Sequence, residues 1–130
     1  MQQVQPRREK RVEVKDAGLW DEIIGAMEEV VHGAHGTARR IGADAPFRIA
    51  GKSGTAQVIG IGQDEEYRQE DVPEELRDHA LFIAFAPADS PRIAVAIVVE
   101  NGGGGSGTAG PIARMLFDQY LTEEGHGAGS

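Results

Sequence analysis

Two short apolar runs, residues 81–86 and 93–99, constrain this chain more than any other feature. Both are rich in β-branched and aromatic residues and too short for buried helices, so both read as strands. Pro87-Ala88-Asp89-Ser90-Pro91 joins them, and its Pro, Asp and Ser are turn formers. A link that short permits only an antiparallel pair. Apolarity is continuous rather than alternating, which predicts a sheet covered on both faces.

The rest of the pattern builds around this hairpin. Trp20, Ile23, Ile24, Met27, Val30 and Val31 recur at helical spacing and predict a helix over about 17–32. Asp16 is placed to cap it, Asp21 and Glu22 sit at its positive end, and Gly33 is placed to stop it. Phe47 to Ile59 reads as a third strand, with Ile and Val at its ends and small residues between. Residues 60–78 form a long, acidic connection in which Val72-Pro73-Glu74-Glu75-Leu76 suits a short helical turn. Residues 101–107 read as a flexible glycine-rich link. Thr108 would then cap a closing helix with Pro111 in its first turn and Ile112, Met115, Leu116 and Tyr120 as its apolar stripe. The fold class expected is α+β: an antiparallel three-stranded sheet with an N-terminal and a C-terminal helix packed on it. Residues 1–15 are expected to be a flexible arm, 16–122 the folded part, and 123–130 a flexible tail.

Charge narrows the partners. With 21 acidic against 13 basic residues the chain carries −8, which excludes nucleic acid and anionic membrane surfaces as expected partners. The basic cluster Arg7, Arg8, Lys10 and Arg11 lies in the polar arm and reads as solvated. There is no cysteine, hence neither a disulfide nor a thiolate metal site. No run approaches the ~20 apolar residues of a membrane span and no signal peptide opens the chain, so a soluble piece is expected.

The informative strand is the third one. Its centre places Lys52 among Ala50, Gly51, Gly54 and Ala56, where a buried strand would carry bulky residues. Small residues in a strand mark a close approach by a backbone or ligand. A lysine flanked by two hydroxyls there suits a carboxylate, although an ordinary edge strand with a solvated lysine fits the spacing too. Alternation puts Lys52 and Gly54 on one face and Ser53 and Thr55 on the other. One ligand can meet both pairs only beside an edge strand.

Lys52-Ser53-Gly54-Thr55 resembles the third signature of serine penicillin-binding proteins and β-lactamases. Its surroundings resemble the elongation-type class B group, the penicillin-binding protein 2 group, in the C-terminal part of the transpeptidase domain. The stretches that carry this are His35-Gly36-Thr37-Ala38-Arg39, residues 49–58, Arg77-Asp78-His79, Ala84-Phe85-Ala86-Pro87 and residues 95–102. The resemblance implies a peptidoglycan D,D-transpeptidase that works through a serine acyl-enzyme and is blocked by β-lactams, at the periplasmic face of the bacterial inner membrane and without a cofactor. It implies that Lys52 helps to hold the substrate carboxylate and tunes proton transfer, and that Ser53 and Thr55 bind the carboxylate of a stem peptide or β-lactam. The Thr55 N–H would supply half an oxyanion hole, and Gly54 would leave room for substrate.

The same family needs Ser-x-x-Lys for the nucleophile and its base, and Ser-x-Asn for proton relay. Serines stand only at 53, 90, 106 and 130, and none begins either motif. This chain is therefore expected not to acylate by itself. The competing expectation is a non-catalytic interaction or scaffold module with an inert motif. If neighbouring strands are lacking, an exposed sheet edge should promote self-association.

Other polar groups carry less. Asp78 and His79 are adjacent on an extended segment, point to opposite faces, and read as structural contacts at a strand start. His32 and His35 lie about a turn apart without a carboxylate at ligand spacing, so no metal is expected. The glycine run lacks the Gly-Lys-Ser/Thr of a phosphate loop.

Overall fold

The computed structural model describes residues 10–58 and 72–127. Parts of the expected arm, acidic connection and tail (1–9, 59–71 and 128–130) lie outside the described residues. Helix α1 spans Gly18–His32, α2 Arg39–Gly42 and α3 Gly105–Gly127; strands β1, β2 and β3 span Ala50–Ala56, His79–Ala86 and Ile93–Val99. A 3-10 turn, Glu74–Leu76, occupies the predicted short helical segment. The strands form one antiparallel sheet in the order β1-β2-β3, so β1 and β3 are its edges.

Helix α1 begins where Asp16 accepts the Gly18 N–H at 2.9 Å, freeing one orphan donor from water. It ends at Gly33, whose N–H returns to the Glu29 carbonyl at 2.9 Å. Gly33 is extended, not left-handed; glycine is needed for space, because an added Cβ would meet the Glu29 carbonyl oxygen. Only the C-terminal half of the predicted stripe packs. Val31 is fully buried, whereas Leu19, Trp20 and Ile23 stay exposed.

One core lies between the sheet and the helices. Phe82 and Ala84 of β2 meet Val31 of α1, Ile41 of α2, and Ala109, Ala113 and Phe117 of α3. Phe47 meets Phe117 edge to face, with centroids 6.4 Å apart. Among the described residues the sheet is covered on one face only, contrary to the expectation from the continuous apolarity of its strands. Ile83 (52% exposed) and Val98 (62%) lie on the face away from this core. Both helices that cover the sheet pack on the Phe82 side.

Three further expectations need correction. The third strand is shorter than Phe47 to Ile59, because bonds outside the ladder take its ends. The Ile49 N–H goes to His32, the Arg48 carbonyl accepts from Ala88, and the Val58 N–H goes to Asp78. The closing helix starts at Gly105, leaving Pro111 inside it, while the Thr108 hydroxyl donates to the Gly102 carbonyl at 2.7 Å. Its buried stripe is Ala109, Ala113 and Phe117, whereas Ile112, Met115, Leu116 and Tyr120 are exposed. The glycine run is a close passage instead of a loose link. Gly103 has φ 76°, and a Cβ on the buried Gly105 would strike the Leu81 carbonyl and the Gly54 backbone.

Candidate active-site strand

Lys52, Ser53, Gly54 and Thr55 occupy the middle of β1, a strand with one edge unpaired among the described residues. Lys52 pairs with Ile83 on the open face, and Ser53 with Phe82 on the face toward the core. The expected division of the motif between two faces of an edge strand is therefore present. Lys52 is exposed, and its Nζ donates to the Ser53 carbonyl at 2.6 Å. Gly54 is confined on its own account: a Cβ there would lie 3.2 Å from Leu81 Cβ, tighter than ordinary contact.

Neighbouring segments hold the strand. Thr37, in the turn after α1, brings its Oγ1 to 3.4 Å from Ser53 Oγ. His32, at the last turn of α1, accepts the Ile49 N–H on Nε2 at 2.8 Å. Arg48 alongside is bridged to Glu28 at 3.0 Å. Burial, then the Arg48 charge, pull His32 below the ordinary imidazole range, with Glu28 opposing. At the other end Asp78, itself buried, accepts the Val58 N–H at 3.2 Å.

Asp78 and His79 do not face each other; each ties a different segment. The Asp78 carbonyl accepts from Gly103, and His79 Nδ1 accepts the Asn101 N–H at 2.9 Å. Asn101, at φ 53°, also donates its side-chain amide to the carbonyls of Glu75 and Arg77. Among the described residues no group of three or more His, Cys, Asp or Glu is placed to hold a metal ion. A hollow of about 440 Å³ is lined by Val31, His32, Arg39 and Arg40 among others and by no residue of β1. Thr37 and His32 were not singled out as partners of the strand from sequence. Thr37 stands in a family-like stretch, but nothing in the order of residues announces its contact with Ser53.

A three-stranded antiparallel sheet backed by helices, with this tetrad on its edge, defines part of a penicillin-binding transpeptidase domain. The family model for the penicillin binding protein transpeptidase domain matches residues 2–118, and the chain belongs to that family, in its penicillin-binding protein 2 group. The peptidoglycan D,D-transpeptidase MrdA of Haemophilus influenzae is 46% identical over 104 residues, covering 80% of this chain and 16% of that protein. The chain superimposes on Pseudomonas aeruginosa PBP2, crystallised with WCK 5153, with a TM-score of 0.73 and 44% identity, covering 92% of this chain and 23% of that one. Helicobacter pylori PBP2, solved in complex with MreC, matches at TM-score 0.59 and 34% identity over 77% of this chain and 16% of that one. The chain thus spans about a sixth of the curated relatives' length.

Proposed function

We propose that this chain furnishes the carboxylate-binding strand and half the oxyanion hole of a peptidoglycan D,D-transpeptidase. The observation that carries the reading is the tetrad's place at the centre of a free sheet edge, beside which an extended peptide can lie. The Lys52 ammonium and the Ser53 and Thr55 hydroxyls are the donors a terminal carboxylate needs. An edge strand also leaves alternate N–H groups unpaired, which suits the oxyanion role of Thr55. The Ser-x-x-Lys nucleophile and Ser-x-Asn relay would come from outside these 130 residues, in a whole protein acting on the periplasmic side of the inner membrane. Among the described residues no helix is long and apolar enough to cross a membrane.

Two measurements test this. Fluorescent penicillin should leave no covalent label on the chain; stoichiometric labelling would show that a nucleophile is present after all. A D-Ala-D-Ala peptide titrated into the ¹⁵N-labelled chain should shift amides of residues 50–57. Absence of any shift would favour the scaffold reading. The open sheet face and free edges also favour self-association between copies.

A further inference from the structure

We propose that His32 is a positioning residue for the strand carrying residues 52–55: its neutral imidazole latches the strand entry to α1, and proton uptake releases it. Ile49 is wholly buried and precedes β1, so its N–H has no ladder partner. His32 Nε2 supplies the acceptor at 2.8 Å. That bond assigns the remaining proton of the neutral ring to Nδ1. An imidazolium has two donors and no acceptor, so protonation turns the contact into donor against donor. Ile49 would then hold a buried, unsatisfied N–H three residues before Lys52, a condition folded chains avoid.

The surrounding charges bear on when this happens. Glu28 stands one turn earlier on α1, but its carboxylate is engaged by Arg48 at 3.0 Å. Arg39 and Arg40 of α2 share a hollow with His32. Burial and Arg48 favour the neutral ring, and Glu28 alone among the named groups opposes them. The folded chain thus takes up this proton less readily than the unfolded chain. The latch contributes fully above the ordinary imidazole value of about 6.5 and is lost as pH falls through the lower folded-state value. Its existence does not depend on what the strand binds; only its consequence for ligand rests on the proposed function.

A pH titration of the ¹⁵N-labelled full chain between pH 8 and 5 tests the latch. The Ile49 amide should move in one step, sharing its midpoint with the His32 ring and lying below about 6.5. Its protection against hydrogen exchange should fall at least about tenfold from pH 7.5 to 5. In H32Q the carboxamide oxygen still accepts but does not titrate, so the step should vanish and protection persist at pH 5. H32F should lose protection at every pH; if that variant does not fold, the wild-type chain and H32Q decide. A wild-type Ile49 amide without the step, or an H32Q chain that keeps it, would overturn the proposal. The D-Ala-D-Ala titration is read separately at residues 50–57, so an intact latch without ligand shifts would count against the carboxylate reading alone.

Discussion

The guanidinium of Arg114, on α3, joins parts of the chain far apart in sequence. Its Nη1 donates to the carbonyls of Ile41 and Ala43 at 2.7 and 2.8 Å, closing the end of α2, while its Nε engages Asp118 one turn on. Asp44 follows at φ 55°, so this turn is held in a conformation that needs outside support. Charge-assisted bonds from a largely buried side chain are worth more than neutral surface ones. Arg114→Ala should cost about 2–3 kcal/mol in urea denaturation, and Arg114→Lys should recover only part, since an ammonium lacks the planar fork. A loss within error of zero for the alanine variant would show that the turn holds itself. Lys52, Ser53, Gly54 and Thr55 were legible in the sequence because they form a local motif. Arg114, Asn101 and His32 were not, because their partners are backbone groups, which have the same chemistry at every residue.

Helix α3 shows how an element can be found correctly and oriented wrongly. Its existence and the strand hairpin before it follow from local pattern and turn chemistry. Its buried face does not, because the larger apolar residues lie about 100° round the helix from the face that packs. A backbone passing as close to a sheet as Gly105 does needs small residues, so Ala109, Gly110 and Ala113 face the strands with Phe117 as the one large side chain. Hydrophobic periodicity weights size and thus selects Ile112, Met115, Leu116 and Tyr120. The two stripes separate by mutation. Phe117→Ala should cost about 3–5 kcal/mol, the range for a buried aromatic. Met115→Ser, at a position 71% exposed, should change stability by less than about 0.5 kcal/mol. Comparable losses at both positions would mean that the Met115 side is packed in solution.

At the scale of the molecule, the described residues leave one sheet face and two strand edges uncovered. Strand composition alone could not reveal this, since Ile83 and Val98 look as core-like as Phe82. The matched stretch is only 16% of the length of the Haemophilus influenzae relative, and strands of this composition suit a sheet with further neighbours. Exposed Ile83 and Val98, with half-buried Leu81 and Phe85 on the same face, supply an attractive surface between copies, while the −8 net charge of each copy opposes approach. The two terms respond differently to salt. The Debye length falls from about 10 Å at 0.1 M to about 3 Å at 1 M, which removes most of the repulsion between surface charges and leaves apolar contact intact. Light scattering should therefore find self-association that rises with protein concentration and strengthens with added sodium chloride. Ile83→Lys should weaken it by placing a charge at the centre of the open face, without disturbing the core side of β2. A chain that stays strictly monomeric at high concentration and high salt would show that neither the open face nor the free edges are adhesive. Association that dissolves in salt would instead assign it to ion pairs, and would leave the apolar face without a role in it.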